Sequence, residues 1–199
     1  MEIAFSHILI KKQHHYFTLI VIIMNDNILS DNILQLRAIE VTDVDTLLAW
    51  ENDSSQWDSC NTSAPYSRKQ LWDYAVNYNN NIFETGAIRM MVVERDSATP
   101  VGCIDIFDFN RFHNRAFVGL YIDSLHRGKG YGVCAMRLAL HYACNFLGMH
   151  QIVAEVANDN TASIRMLQAC GFTVCGTLRQ WFRHGSQYSD GLLMQYITQ

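Results

Sequence analysis

Between Arg115 and Leu147 the apolar pattern changes period, and the change hinges on three spaced glycines. Arg115–Ile122 alternates as a strand does, and Arg127-Gly128-Lys129-Gly130-Tyr131-Gly132 follows it. Val133, Met136, Leu140, Ala143 and Leu147 then recur at helical spacing. In a strand–glycine turn–helix unit the backbone can come close to a ligand. The unpaired N–H groups at the helix start then face an anion. A tight turn that merely opens a helix would look the same. A dinucleotide fingerprint fits poorly, because the spacing is G-x-G-x-G and the preceding strand is the fourth of its sheet. No G-K-[ST] follows, so a phosphate-binding loop of that kind fits worse.

The rest of the chain alternates between the two periods. Leu34, Leu36 and Ala38 mark a first short strand. Thr42 with Asp45 and Ser67 with Gln70 are both spaced as capping boxes. The first predicts a helix with Val44, Leu47 and Leu48 inward, the second a helix with Leu71, Tyr74, Ala75 and Tyr78 inward. Strand-like runs follow at Ile88–Glu94, Val101–Phe107 and Arg115–Ile122, separated by Pro100 and the polar stretch 110–114. After the glycine turn and its helix come a strand at Gln151–Val156 and a helix opened at Asn158-Asp159-Asn160 and ending at Gly171. Strands at Thr173–Arg183 and Tyr188–Ile197 close the chain around His184-Gly185-Ser186. The order β-α-α-β-β-β-α-β-α-β-β predicts one mixed α/β domain over residues 34–199.

Composition narrows the partners. The chain has 199 residues, 15 basic and 19 acidic, for a formal charge of −4. That balance leaves no electrostatic footprint for nucleic acid, and no apolar run reaches the length of a membrane span. Six cysteines occur without a C-x-x-C pair and eight histidines are scattered, so no metal is expected and a reducing, cytoplasmic setting is. Residues 1–33 read as an N-terminal extension: Lys11 and Lys12 precede a short apolar run at 16–24, and the biological start is expected at Met24.

Two motifs at matching mutual spacing carry a family resemblance. Arg127-x-x-Gly130-x-Gly132, after a strand ending Tyr121-Ile122-Asp123, resembles the R/Q-x-x-G-x-G/A acetyl-CoA loop of the GCN5-related N-acetyltransferases. The stretch from Asn160 to Gly171-Phe172 resembles that family's N-x-x-[AS]-x-x-x-x-x-x-x-G-F signature. The chain is similar to the branch holding ribosomal-protein-alanine and spermidine/diamine acetyltransferases. The resemblance implies a central twisted sheet of about seven strands, splayed between the fourth and fifth. It implies acetyl-CoA as co-substrate, with the backbone of Arg127, Gly128, Lys129, Gly130, Tyr131 and Gly132 on the pyrophosphate. Leu120, Tyr121 and Ile122 would pair with the pantetheine arm, and the Asn160 side chain would reach the arm's amide. An N-cap role for Asn160 fits as well. The expected acceptor is a primary amine, either a protein N-terminus or a small amine such as a polyamine. A homodimer is a further expectation.

Acetyl transfer to an amine needs a proton acceptor for the amine, donors for an oxyanion and a proton for the leaving thiolate. The backbone N–H of Tyr121 or Ile122 is the candidate oxyanion donor. Asp105 and Asp108 are the candidate bases. Alternation sets Asp105 on the face opposite Ile104 and Ile106, although a solvated sheet face explains it equally. His113, in the turn beyond, reads as a loop residue. Ser163 is the candidate donor to the leaving sulfur, although an ordinary helix-surface serine explains it as well. Two positions depart from the spermidine branch: Leu167 stands where many relatives have a tyrosine acid, and Phe117 where they have a glutamate. Trp50, Trp57, Tyr66, Trp72 and Tyr74, with Glu51, Asp53 and Asp58, are either an acceptor-side wall or ordinary packing. A catalytically weak acyl-CoA sensor is the rival reading, favoured by Leu167 and Phe117.

Overall fold

The computed structural model describes residues 27–57 and 62–198. Met24 and most of the extension, together with Asp58 and Cys60, lie outside the described residues. Seven strands form one sheet: β1 Leu34–Arg37, β2 Ile88–Glu94, β3 Pro100–Asn110, β4 Arg115–Ile122, β5 Gln151–Ala157, β6 Thr173–His184 and β7 Gln187–Ile197. Their spatial order is β1-β2-β3-β4-β5-β7-β6. All neighbouring pairs are antiparallel except β4 and β5, which run parallel. The helices are α1 Val44–Glu51, α2 Arg68–Val76, α3 Ile82–Thr85, α4 Tyr131–Leu140 and α5 Thr161–Ala169.

The sheet is apolar on both faces because helices cover both. Met90 and Val92 of β2 join a large core with α4, α5 and the inner side of β3–β5. Met91 and Val93 point the other way, into a smaller core with Val44 and Leu47 of α1 and Leu71 and Ala75 of α2. One face thus carries α4 and α5, the other α1 and α2. The glycine turn sits at the end of β4, where α4 leaves the sheet.

Several local expectations are corrected. The first capping box is not Thr42 with Asp45 but Glu40 with Asp43, around a 3-10 turn at Val41–Asp43. Arg37 decides this: its guanidinium grips both oxygens of the buried Asp43 at 2.7 Å, which aims that carboxylate at the Glu40 N–H. Asp45 instead pairs with Arg68 of α2. The Ser67–Gln70 box forms as read. β3 runs three residues past Phe107, through a bulge at which Asp108 takes a φ of 50°. Helix α3, N-capped by Asn81, had no apolar period to announce it. In α4 the fully inward residues include Ala135, Leu138 and Ala139, while Val133 is only partly buried. Beyond Leu140 the helix widens into a π turn over His141–Phe146, which turns Ala143 inward and leaves Leu147 partly covered.

Candidate active site

β4 and β5 pair only from Arg115 to Phe117, opposite Gln151 to Val153. Beyond that point the strands part, and a cleft of about 540 Å³ opens between them. Its walls are Val118–Ile122 of β4 and Ala154–Ala157 of β5. The glycine turn, with His126, closes one end, and Asn160, Ser163 and Leu167, the cap and one face of α5, line another side. Phe182 and His184 of β6 reach its rim.

Backbone direction along β4 follows from its pairing. Asp123 N–H donates to Val101 O at 2.9 Å, continuing the register in which Tyr121 faces Cys103 and Gly119 faces Asp105. In an antiparallel ladder alternate residues bond the same partner. Gly119 and Tyr121 therefore spend their amides on β3, and Val118, Leu120 and Ile122 present theirs to the cleft. Of the two oxyanion donors read from the sequence, Ile122 N–H faces the cleft and Tyr121 N–H does not. Leu120 N–H also faces the cleft. The Tyr121 ring packs against the Trp50 ring, with centroids 5.4 Å apart, and burial, helped by Asp123, pushes its hydroxyl pKa up to about 12.

The glycine turn has the geometry of an anion cradle. Gly128 and Gly130 hold φ of 76° and 83°, and a Cβ at either would meet open space. Gly130 is the N-cap of α4; the first amides to find helical partners are Val133 and Cys134, both on Gly130 O. The N–H groups ahead of them are therefore left for a ligand. At Gly132 a Cβ would come within 3.5 Å of Met166 and 3.7 Å of Leu120, which is the approach that brings α4 against β4 and α5. The buried Nδ1 of His126 lacks a hydrogen-bond partner among the described residues. Cradle and orphaned nitrogen fit a phosphorylated ligand such as coenzyme A. The Arg127 Nε donates to Ile122 O at 2.8 Å, and its guanidinium lies over the Tyr121 ring at 5.9 Å. Lys129 Nζ stands over the Tyr131 ring at 5.8 Å, and the Tyr131 hydroxyl donates to Glu94. Asn160 caps α5, its Oδ1 accepting from Ser163 N–H at 3.1 Å. That use leaves the two Nδ2 donors for another acceptor.

The two carboxylates read as bases stand elsewhere. Asp105 does not line the cleft; Arg89 of β2 holds it through Nε at 2.6 Å and the other guanidinium nitrogen at 3.1 Å. The same guanidinium takes Glu51 of α1 at 2.7 Å. Burial alone would lower the Arg89 pKa, but the Asp105 carboxylate outweighs it and the net shift is upward. Asp108 sits exposed in the β3 bulge, away from the cleft. Of the early aromatics, Trp50 reaches Tyr121, and Trp57 donates its indole N–H to Glu51 O at 2.9 Å. Tyr66, Trp72 and Tyr74 are well exposed. Leu167 is buried at the cleft wall, where it offers no proton. One lining carboxylate went unread in the sequence: Glu155 of β5. Its strand is otherwise a plain apolar run, and only the splay gives it a cavity to face.

The profile of the acetyltransferase (GNAT) domain family matches residues 34–173. The chain belongs to that family. Among relatives, the spermidine N(1)-acetyltransferase of Vibrio cholerae is 31% identical over 122 residues, covering 61% of this chain and 69% of the relative. The probable N-acetyltransferase YjcK of Bacillus subtilis is 27% identical over 170 residues, covering 83% of this chain and 94% of the relative. Among solved structures, a Vibrio cholerae spermidine N-acetyltransferase in complex with CoA and spermine superposes with a TM-score of 0.74. It is 26% identical, over 84% of this chain and 96% of that one. This GNAT chain is an N-acetyltransferase built on a seven-stranded mixed sheet. Among the described residues no three His, Cys, Asp or Glu side chains gather as a metal site, and no helix is long and apolar enough to cross a membrane.

Proposed function

We propose that this chain transfers the acetyl group of acetyl-CoA to a primary amine by direct attack in a ternary complex. The observation that carries the reading is the β4–β5 splay ending at the glycine turn. An open strand edge and a row of unpaired helix-start amides lie there in one cleft. The amides of Gly128 to Gly132 would hold the pyrophosphate, with His126 beside them. Leu120 and Ile122 would offer backbone pairing to the pantetheine arm, and Asn160 its Nδ2 donors. Acetyl-CoA supplies an activated thioester, whose carbonyl oxygen gains charge as the amine attacks. The Leu120 or Ile122 N–H, already aimed into the cleft and fixed by the sheet, is preorganised to receive that charge. Ser163, on the cleft wall, is the donor proposed for the leaving sulfur. The amine attacks as its free base: the proton it sheds passes to solvent, the nitrogen–acyl bond forms as the acyl–sulfur bond breaks, and coenzyme A leaves as the thiol, so no covalent enzyme intermediate is required.

The acceptor class follows from charge and from relatives. A spermidine enzyme among the relatives and a spermine-bound neighbour support a polyamine, while Leu167 and Phe117, which depart from the spermidine branch, support a protein N-terminus. Both acceptors present a primary ammonium. The deciding experiment is calorimetry with acetyl-CoA and coenzyme A, followed by thiol release against spermidine and an Ala-initiated peptide. Binding with turnover is the expected outcome, and the faster acceptor names the class. Binding without turnover would favour the sensor reading, and absence of binding would overturn the assignment of the glycine turn.

A further inference from the structure

Glu155 is the one carboxylate among the described residues that line the cleft. Register explains what it faces. Arg89 pairs with Asp105, and Asp105 with Gly119. β4 and β5 then pair with Phe117 opposite Val153, and the same offset carried past the splay sets Glu155 across from Gly119. Residues paired across a sheet point to the same face. Arg89, Asp105, Gly119 and Glu155 therefore form one row on the α1–α2 face, and the glycine leaves a gap in it. A Cβ at Gly119 would meet only the Phe107 ring, at 3.7 Å. Phe107 stacks on Phe117 on one side of the gap, and Tyr121 meets Trp50 on the other. The slot is thus a narrow opening between aromatic pairs, with a carboxylate on its far wall.

The carboxylate is held by a deliberate distortion of β6. The Trp181 indole N–H donates to Glu155 Oε2 at 2.9 Å. Trp181 lies within a register shift between Leu178 and Phe182, next to Gln180 at a φ of 50°. Gln180 N–H is fixed by Asp190 Oδ1 at 2.8 Å. Gly191 makes room: a Cβ there would stand 3.2 Å from Trp181 and 3.0 Å from Phe182. Bulges of this kind re-aim side chains, and a non-glycine residue kept in left-handed backbone collects at functional sites. Here the bulge turns Trp181 toward one Glu155 oxygen and leaves the other for a ligand.

We propose that Glu155, positioned by Trp181, is the subsite that binds the ammonium group of the acceptor, which enters through the Gly119 slot. This rests on the acetyltransfer reading. A primary ammonium has three donors and a positive charge; it matches a half-fixed carboxylate flanked by ring faces. Neither a neutral amide nor an anionic acceptor matches.

The test is spermidine and an Ala-initiated peptide titrated into the full chain saturated with coenzyme A, paired with steady-state kinetics. Glu155→Gln and Gly119→Leu are expected to keep coenzyme A affinity within about twofold and to weaken binding of the productive amine by roughly tenfold or more, on the scale of one charge-assisted hydrogen bond. KM should rise more than kcat falls, and Glu155→Asp should recover part of the loss. Amine binding and KM unchanged in Glu155→Gln would overturn the proposal, as would a loss that Glu155→Asp and Glu155→Gln share equally. If the unaltered chain binds coenzyme A but neither binds nor acetylates an amine, the acetyltransfer reading fails and this subsite fails with it.

Discussion

Gly130 holds a φ of 83° at the N-cap of α4, and the space beside its Cα is open. A side chain there is opposed by backbone strain of about 1–2 kcal/mol rather than by a clash, so the fold should tolerate Gly130→Trp. The indole would stand where the helix-start amides meet their ligand. We expect coenzyme A affinity in Gly130→Trp to fall by at least about a hundredfold by calorimetry, with a cooperative unfolding transition retained. Asp43 offers a second residue-scale prediction. Burial pushes its carboxyl pKa up, but the hydrogen bonds from Arg37 and Glu40 and the Arg37 charge outweigh it, and the net value lies below the ordinary 3.8. The folded state therefore prefers the ionised form. The stability this contributes is full above about pH 4 and is lost as pH falls through the lower folded value. Asp43→Asn should destabilise the chain at pH 7 and lose much less on acidification, as urea unfolding at pH 7 and pH 3 would show.

Among the elements, β4 does most to define the site, and its position depends on a glycine in its neighbour. A Cβ at Gly102 of β3 would fall 2.1 Å from Tyr121 O and 3.0 Å from the Ile122 side chain. Gly102→Ala must therefore push β3 and the cleft-bearing end of β4 apart. The expected cost is about 2 kcal/mol or more in urea denaturation, with weaker coenzyme A binding because Leu120 and Ile122 move with the strand. Most elements were legible in the sequence: β2 and β4 fall where the alternation put them, and the Ser67–Gln70 box opens α2. What escaped was set by side-chain partners that no apolar period or capping spacing marks. The Glu40–Asp43 box wins over Thr42–Asp45 because Arg37 claims Asp43. The β6 bulge leaves no local mark, since Gln180 is no turn residue and its strain is held by Asp190 ten positions on.

Across the whole molecule one ion-pair cluster links helix to sheet. Arg89 of β2 joins Glu51, 38 residues earlier, to Asp105, 16 residues later. Removing the guanidinium leaves two partly buried carboxylates facing each other without a cation. Arg89→Ala is expected to cost about 3 kcal/mol in chemical denaturation at pH 7. Adding Asp105→Asn should return part of that loss, because it removes one of the two orphaned charges. The sequence by itself determined the order of the strands and of α1, α2, α4 and α5, the glycine turn and the α5 cap. Each of these rests on local physics: apolar period, backbone freedom at glycine and side chains that cap their own helices. The tertiary structure alone decided which polar groups meet. Asp105 looked like a base from its strand position, yet the sheet register hands it to Arg89. Glu155 stands in a plain apolar strand that gives it no role, yet the parting of β4 from β5 and the turn of Trp181 leave it on the wall of the cleft. Register and splay arise from pairing between distant segments, and no local pattern in the chain encodes that pairing.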